Sequence, residues 1–385
     1  MALNIGRRGR LYGKKEAGGY GTLQTLNAAN GLRHIDYNAM FDPKGRVNSP
    51  EKKDSPGTVN LFDRRVVAGL SSLTALIRPS GTLNTLPEGD FIFEAAFGAK
   101  TNVTLATTIA AGGAGTTTAD RLTSAAGLAV GDGIVFTHQD GRRYVRVILT
   151  VEGADITWAP ALPTPLNDGQ AAKGVITYKL TTDLAISVAF LHVLTGFRRE
   201  LRGLGIDKLS MMFDANEEGR FTASGPAQQE LSDAAAIADP GGFTSVGGHP
   251  PSGIVGELYI NDAAYLFKKF DYEITNGIKV RNEEYGNDGL ASEVFRDGRR
   301  TLSCSLTAFV ETAATLQALA KAGTNSSLFK QTGRTEGNTV GVWFPKVDWK
   351  VPETGTGDNA LDWTFKGTPV ETVDGGNDEV KLILA

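Results

Sequence analysis

The segment at residues 64–77, RRVVAGLSSLTALI, decides the fold because residues 299–310, RRTLSCSLTAFV, repeat its pattern. Each segment begins with two arginines and continues as an apolar-rich run that is typical of a β-strand. Each then leads, directly or through a linker, to a short predicted helix that ends at a glycine. Because an internal repeat sets the architecture, this pattern predicts two copies of one unit in the chain.

The ends of the two halves correspond as well. Residues 208–227, KLSMMFDANEEGRFTASGPA, and residues 346–370, KVDWKVPETGTGDNALDWTFKGTPV, share one order of features. Both show an alternating strand, a polar acidic loop, and a strand with threonine at its centre, glycine near its end and proline after it. Chance similarity between β-hairpins is the alternative, but duplication of one β-rich unit explains the shared order better.

A segment of different composition, rich in Thr, Ala and Gly, lies at about residues 100–180. Within it, Asp140-Gly141 stands between two apolar-rich runs, which is a strong hairpin signal. Apolar side chains then alternate along residues 145–151, as on a half-buried strand. We therefore expect a small β-barrel-like insertion.

Two short helices are predicted. In residues 86–98, LPEGDFIFEAAFG, Pro87 can occupy the first turn, Phe93 and Phe97 share one face, and Gly98 can end the helix. Residues 311–323, ETAATLQALAKAG, form the second helix. Its apolar stripe consists of Leu316, Leu319 and Ala320, and Gly323 follows as the cap.

A further hairpin is predicted in the second half. Phe270, Tyr272 and Ile274 alternate along a strand, and Asn276-Gly277 follows directly. Asn-Gly is a preferred two-residue turn between antiparallel strands.

The predicted fold class is mainly β (α+β), with two tandem β-sandwich or split-barrel domains, each with a short flanking helix, and the small inserted β domain. The first 60 residues are polar and rich in turn-forming residues, so we expect an arm that a neighbouring subunit holds in place. The predicted ranges are 1–60 for this N-terminal arm, 61–100 with 181–231 for the first domain, 101–180 for the insertion, 232–253 for a linker, and 254–385 for the second domain.

The charge balance argues against a dedicated nucleic-acid-binding protein. Lys and Arg number 39 against 43 Asp and Glu, a net charge of −4, whereas proteins that grip DNA usually carry a basic excess to neutralise phosphates. The nearest approach to a basic patch is a candidate inter-subunit arm, with a merely solvated segment as the alternative. Its residues are Arg7, Arg8, Arg10, Lys14 and Lys15.

Residue patterns for catalysis, cofactors and metals are missing from the sequence. The four histidines (His34, His138, His192 and His249) lack metal-ligand spacing, and Cys304 lies in a strand-like run where we expect a buried side chain. Neither a phosphate-binding loop nor a Gly-x-Ser-x-Gly motif occurs, and the carboxylates are expected mainly to line wet strand faces rather than to act as a glycosidase pair. We therefore expect no enzyme, no cofactor and no metal, and neither a leader nor a membrane span.

Several segments resemble the tail tube proteins of long-tailed bacteriophages. In the second half they are residues 267–289, FKKFDYEITNGIKVRNEEYGNDG; 295–312, FRDGRRTLSCSLTAFVET; 338–371, which contain VGVWFPKVDWKV; and 375–385, GGNDEVKLILA. In the first half they are residues 64–81, RRVVAGLSSLTALIRPSG; 94–98, EAAFG; and 209–227, LSMMFDANEEGRFTASGPA. The resemblance covers about two-thirds of the chain and includes no catalytic fingerprint.

The resemblance implies a subunit whose sheets join side by side into a closed ring, with rings that stack into a tube. The family commonly has one domain per subunit and six subunits per ring, so a chain with two domains implies a trimeric, pseudo-sixfold ring. The insertion departs from the family pattern and is expected on the outer surface.

The implied partners are further copies of the chain, a tape-measure protein, and the tail terminator and tail-tip proteins, while DNA passes without specific binding. The implied location is the virion tail, after assembly in the cytoplasm of the host bacterium.

A wall along which DNA slides should not bind phosphate, so we expect a neutral to acidic lumen. The two acidic loops are candidates for lumen or ring-stacking positions, although ordinary surface loops are an equal alternative. Their residues are Asp214, Glu217 and Glu218 in the first loop and Glu353 and Asp358 in the second.

Two other functions stay open. A tail-tip, hub or adaptor ring protein would use the same β-rich fold in fewer copies. A carbohydrate-binding or depolymerising tail protein would need exposed aromatic platforms, for which Trp158 in the insertion is the weak candidate.

Overall fold

The computed structural model describes residues 9–22, 24–42, 47–48, 61–62, 66–112, 115–184, 186–194, 197–232, 237–244, 247–282, 284, 287–352 and 362–385. Within these residues the chain is built mostly of β-strands, with two α-helices. The predicted mainly β fold class is confirmed.

The strands as far as the end of the insertion are β1 (Arg10–Lys15), β2 (Gly31–Leu32), β3 (Asp36–Asp42), β4 (Val47–Asn48), β5 (Leu61–Phe62), β6 (Val67–Leu76), β7 (Gly98–Asn102), β8 (Ala106–Thr108), β9 (Ala119–Arg121), β10 (Gly133–Thr137), β11 (Arg143–Glu152), β12 (Asp155–Ala159) and β13 (Ala171–Gly174). The strands that follow are β14 (Ile176–Leu180), β15 (Val188–Leu194), β16 (Phe197–Leu204), β17 (Lys208–Asp214), β18 (Arg220–Ala227), β19 (Gln229–Ser232), β20 (Gly256–Ile260), β21 (Ala263–Ala264), β22 (Lys269–Thr275), β23 (Ile278–Arg281), β24 (Glu293–Arg296), β25 (Thr301–Phe309), β26 (Ser326–Thr332), β27 (Val340–Trp349), β28 (Asp362–Pro369) and β29 (Lys381–Leu384). The helices are α1 (Asp90–Phe97) and α2 (Val310–Ala322).

The largest sheet has 14 strands, and eight of them form one antiparallel run in the order β3-β6-β18-β17-β22-β25-β28-β27. The first four strands come from the N-terminal half and the last four from the C-terminal half. In both sets the spatial order is first, second, fourth and third along the chain, and a helix follows the second strand. The two halves therefore share one strand connectivity.

A matching pair of threonines supports this equivalence at the level of single residues. The sequence SLTA stands in the second strand of each set, β6 and β25. Its threonine lies opposite another threonine on the next strand in both halves, with 3.1 Å between the hydroxyl oxygens of Thr74 and Thr222 and 3.0 Å between those of Thr307 and Thr364. The repeat that the sequence predicts thus recurs in the ladder register.

Both predicted helices are present. Gly98 and Gly323 end them in the left-handed conformation, with φ of 101° and 63°. Phe93 and Phe97 are fully buried, as expected for one apolar face. The prediction that Pro87 lies in the first turn is wrong, because Gly89 with φ of 88° precedes the first helical residue and leaves Pro87 outside.

The apolar stripe of α2 also faces the core. Leu316 and Ala320 are buried, and Leu319 packs against the same cluster while partly exposed. This helix therefore covers the dry side of β25, β27 and β28.

The hairpin predicted at Asn276-Gly277 is wrong. β22 is already paired on both edges, with β17 and β25, so β23 leaves the sheet and pairs with β24 instead. Gly277 does have the positive φ of such a turn, 66°. Asn276 is buried, and its amide donates hydrogen bonds to the carbonyls of Ala96 at 2.9 Å and Ile206 at 3.2 Å.

The insertion forms a six-stranded sheet in the order β8-β13-β10-β11-β12-β9. Its two edge strands are joined by backbone hydrogen bonds from Thr123 to Thr108 at 2.9 Å and from Ala110 to Arg121 at 2.8 Å, so the sheet closes on itself. The predicted turn at Asp140-Gly141 joins β10 to β11. The barrel strands run from β8 to β13, whereas β14, inside the predicted range 101–180, pairs with β7 and β29 in the largest sheet.

The barrel is attached to the C-terminal half through a buried arginine. The Arg146 guanidinium carbon lies 5.2 Å from the ring centres of Tyr144 and Tyr259 and 5.6 Å from that of Phe329. Burial lowers the pKa of Arg146, and its guanidinium donates to the carbonyls of Val145 and Ala161. The placement of the barrel on the outside of an assembly stays a prediction.

A separate five-stranded sheet has the order β19-β16-β15-β1-β2 and contains the beginning of the described chain. β1 pairs with β15 along its whole length, and Leu11 and Tyr12 are fully buried. The strands β1 to β3 thus pair with strands of their own chain. Holding of the first 60 residues by a neighbouring subunit stays a prediction. The division into domains stays a prediction.

Candidate functional site

The eight-stranded run buries one face and leaves the other polar. Along β22, Phe270, Tyr272 and Ile274 are buried, while the alternate side chains are partly exposed. A similar alternation recurs along most of the other strands of the run, whereas Val340–Phe344 at the beginning of β27 are all buried. Because side chains on a strand point to opposite faces in turn, the partly exposed positions form one continuous surface, which we call the polar face.

The polar face consists mainly of hydroxyl and charged side chains. Strand by strand it comprises Asp36, Asn38, Met40 and Asp42 of β3; Ser72, Thr74 and Leu76 of β6; Arg220, Thr222 and Ser224 of β18; Lys208, Ser210, Met212 and Asp214 of β17; Lys269, Asp271, Glu273 and Thr275 of β22; Thr301, Ser303, Ser305, Thr307 and Phe309 of β25; Asp362, Thr364, Lys366 and Thr368 of β28; and Lys346, Asp348 and Lys350 of β27 and the residue after it. The polar face therefore carries seven carboxylates and six basic groups.

Ion pairs neutralise part of the positive charge on this face. Lys208 lies 3.5 Å from Glu273, and Lys269 lies 3.3 Å from Asp271. Arg220 is paired with Glu217 of the adjoining loop. Such a surface offers little net attraction to phosphate, because affinity for nucleic acid depends on basic groups that replace counterions.

The centre of the polar face is hollowed. An open depression of about 670 Å³ lies over the junction of the two halves. Its lining includes Thr222 of the first half and Asp271, Ser303 and Lys366 of the second. The face is therefore concave where the halves meet.

The first acidic loop lies at one end of the polar face. Asp214 ends β17, and Glu217 and Glu218 are exposed in the turn to β18. Glu218 pairs through its backbone with Ser252, which lies in the predicted linker.

Glu353 and Asp358 of the second acidic loop lie outside the described residues. The strand that returns from this loop begins with Asp362, at the same end of the sheet as Asp214, because Asp214 lies opposite Lys269, Lys269 opposite Thr307 and Thr307 opposite Thr364. Lumen or stacking roles for both loops stay predictions.

Two of the described basic residues near the N-terminus pair with different carboxylates. Arg10 pairs with Asp239 at 2.7 Å, and Lys15 pairs with Glu94 at 2.6 Å. Lys14 is exposed on β1. Arg7 and Arg8 lie outside the described residues, and an inter-subunit role for this cluster stays a prediction.

Side chains that often carry chemistry are in ordinary structural surroundings. Cys304 is buried, and burial raises the pKa of its thiol. Burial, together with neighbouring His34 and Arg199, lowers the pKa of His192 to about 4. Within the described ranges no cluster of three or more His, Cys, Asp or Glu is arranged to hold a metal ion. None of the described helices is long and apolar enough to span a bilayer.

Trp158 is part of the core of the barrel. It is 1% exposed, its indole nitrogen donates to the Thr117 carbonyl at 3.0 Å, and its ring lies 4.7 Å from that of Phe136. A buried ring cannot serve as a platform for sugar, so the one residue that favoured a carbohydrate-binding function does not support it.

Comparison with protein families identifies the chain. The model of a family described as "Phage tail tube protein" matches residues 6–368. The chain belongs to the phage tail tube protein family. Comparison with curated proteins returned no match. The match spans both halves and the inserted barrel, so the tail tube assignment applies to the chain as a whole.

Membership makes this chain a structural component of a phage tail. The tail tube resemblance drawn from the sequence is thereby confirmed. What sequence reasoning missed is the polar face as a unit. The available signal was the regular Ser, Thr and charged residues at alternate positions of strands from both halves.

Proposed function

We propose that three copies of this chain form a ring of the tail tube, with the polar face lining the lumen through which DNA passes. The observation that carries the proposal is the continuous eight-stranded run, in which two equivalent sets of four strands already stand side by side. Three such runs supply six equivalent units, the number that the family commonly assembles from six single-domain subunits. A closed ring also removes exposed strand edges, which otherwise pair with other chains.

The dimensions suit this role. A closed barrel of about 24 strands, spaced by about 4.8 Å and tilted by about 40°, has a backbone diameter of roughly 48 Å. Side chains narrow the opening to roughly 40 Å. Such an opening is wider than a DNA duplex, so the duplex can pass without touching the whole wall at once.

The charge of the polar face supports passage rather than binding. Carboxylates and basic groups nearly balance in number, two lysines are paired within the face, and Arg220 is paired with Glu217 of the adjoining loop. A duplex sliding over this surface would gain little affinity from counterion release.

The same proposal includes stacking of the rings through their ends, where the first acidic loop lies. Further partners proposed from the family are a tape-measure protein within the lumen and terminator and tip proteins at the two ends. Assembly would take place in the host cytoplasm before the tail joins the virion.

The test is the assembly state of the purified full-length chain. Negative-stain images should show rings and tubes, and mass measurement of isolated rings should give three chains per ring. A protein that stays monomeric at all concentrations, or whose rings contain six chains, would overturn the proposal.

A further inference from the structure

At the junction between the two halves, the strand ladder continues from the first set of four strands into the second. At this junction β17 and β22 pair along seven residues each, with Leu209 opposite Ile274 and Lys208 opposite Thr275. Leu209 and Ile274 are both fully buried. The outer edge of β17, the strand at the end of the first set, is thus fully paired with β22, the first strand of the second set.

The repeat assigns each junction residue an equivalent at the outer ends of the run. On the first strand of each set, Tyr37 and Phe270 both face the leucine of SLTA. Counting four residues onward makes Phe41 the equivalent of Ile274, and the next residue, Asp42, the equivalent of Thr275.

The other outer end follows from the opposite ladder. Leu209 faces Ala223, and the equivalent of Ala223 is Phe365, because each faces the SLTA leucine of its own half. Continuing the register of Trp349 opposite Gly367 places Val351 across from Phe365. Val351 is therefore the equivalent of Leu209.

In the described part of the chain, neither β3 nor residues 349–352 has a second strand paired along its outer edge, as β17 and β22 have at the junction. Val351 is 48% exposed, whereas its equivalent Leu209 is fully buried. Within the described residues β3 pairs with β6 alone, and residues 349–352 extend beyond the last pair that β26 makes with β27, at Val347. An apolar side chain thus stands exposed next to a strand edge that no other described strand occupies.

We propose that β3 of one copy pairs antiparallel with residues 349–352 of a second copy, in the register of the internal junction. Phe41 then lies opposite Val351, and Asp42 lies opposite Lys350, an apolar pair beside a pair of opposite charges. This proposal rests on the proposed ring and names the strands that close it.

The backbone geometry fits this pairing. At the internal junction Asn276 donates to the Asp207 carbonyl and Ala215 to the Lys268 carbonyl, so the odd-numbered residues of β17 bond across to β22. The equivalent residue Val351 points its backbone groups outward, whereas the Lys350 amide already donates to Lys366 at 2.8 Å. Pro352 has no N–H, but its nitrogen is on the side of β28, so the pairing with the second copy does not need a donor there.

The pairing can only be intermolecular. β3 and β27 stand at opposite ends of the eight-stranded run, seven strand spacings apart. At about 4.8 Å per spacing this is roughly 34 Å, far beyond the reach of two side chains.

The decisive experiment is a disulfide cross-link in the assembled full-length chain. Asp42→Cys with Lys350→Cys places two thiols at a position where opposite Cα atoms lie about 4.5 Å apart, within disulfide range. Mild oxidation should yield covalent dimers and trimers on a non-reducing gel. Lys208→Cys with Thr275→Cys, the same pair at the internal junction, should oxidise within single chains and migrate as a monomer.

The register has its own control. Asp42→Cys with Asp348→Cys shifts one thiol by two residues and should cross-link at least tenfold less. If rings form and only this shifted pair reacts, or neither pair does, the proposed pairing is wrong while the ring stands. If the unsubstituted chain forms no rings, the proposed function itself fails.

A second variant covers the case in which the cysteine pair does not assemble. Val351→Lys should abolish rings while leaving the melting temperature of the monomer unchanged. Val373→Lys changes another exposed valine, 64% exposed, and should leave rings intact. Rings from Val351→Lys as abundant as those from Val373→Lys would overturn the proposal.

Discussion

The hydroxyl of Tyr272 donates to the sulfur of Met211 at 2.9 Å, across the line where the C-terminal half meets the N-terminal half. Both residues are buried, and they face each other in the ladder between β17 and β22. Sheet and core continue without a break through this point. The halves therefore behave as one structural unit, although each has the connectivity of a complete repeat.

The first prediction concerns this junction. Leu209→Ala should lower the free energy of unfolding by about 2–5 kcal/mol, because it removes a fully buried side chain from a close-packed site. Denaturant unfolding followed by far-UV circular dichroism and by tryptophan fluorescence should show the loss with both probes.

Its matched control is the equivalent position in the other half. Val351→Ala should change the stability of the monomer by less than about 0.5 kcal/mol, since Val351 is half exposed there. Equal losses for the two variants would contradict the difference in burial between the two ends of the run.

The second prediction concerns Asn276, whose buried amide links α1 to the segment before β17. Asn276→Ala should destabilise the chain by about 1–3 kcal/mol, because the carbonyls of Ala96 and Ile206 lose their donor inside the protein. Thermal unfolding would measure the effect. Asn216→Ala, in the exposed turn after β17, is the control and should melt like the unsubstituted chain.

These two sites show how far the sequence leads. The SLTA strands, the helix caps at Gly98 and Gly323, and the turn at Asp140-Gly141 are local patterns, and local patterns survive in the fold. Asn276-Gly277 has the same local signal but forms no hairpin, because both edges of β22 are taken by strands distant in sequence.

The candidate site was less predictable than the fold. The acidic loops were found as isolated segments, but the polar face requires knowing that β17 pairs with β22 rather than ending the first unit. The attachment of the barrel is equally non-local, since Arg146 packs against Tyr259 and Phe329 of the other half. Periodicity in the sequence predicts which side chains of a strand are buried, but it does not predict which other strands pair with it.

The third prediction concerns Lys330, which is 1% exposed in the main core. Its ammonium donates to the Gln331 carbonyl at 2.8 Å and to the Thr332 hydroxyl at 2.5 Å, and it lies 4.9 Å from the centre of the Phe267 ring. Burial lowers its pKa from 10.5 to about 7.

The sign of the effect on stability follows from these values. Between about pH 7 and pH 10.5 the unfolded chain holds a proton that the folded chain has released, so this lysine makes stability rise with pH in that window. Below about pH 7 the folded chain also carries the charge, and the full cost of burying it then lowers the free energy of unfolding. Lys330→Met should raise the melting temperature at pH 7 and should reduce its increase between pH 7 and pH 9. If the melting temperature rises by the same amount between pH 7 and pH 9 in both proteins, Lys330 is not the cause of the pH dependence.

The last prediction concerns the charge of the polar face. Asp271→Lys with Glu273→Lys reverses two carboxylates at the centre of the depression and leaves Lys269 and Lys208 without their partners. If this face lines the lumen, assembled rings of the variant should bind duplex DNA, and the binding should weaken steeply as salt rises, with a slope of about 0.9 per phosphate contacted. Unsubstituted rings should bind weakly and with a shallow slope.

Glu152→Lys with Asp155→Lys makes the same change in net charge on exposed positions of the barrel and is the control. Because a basic patch attracts DNA wherever it lies, the informative readout is whether bound DNA is protected from nuclease: enclosure protects it in the polar-face variant, whereas DNA on the barrel stays open to digestion. Equal digestion in the two variants would place the polar face outside the lumen.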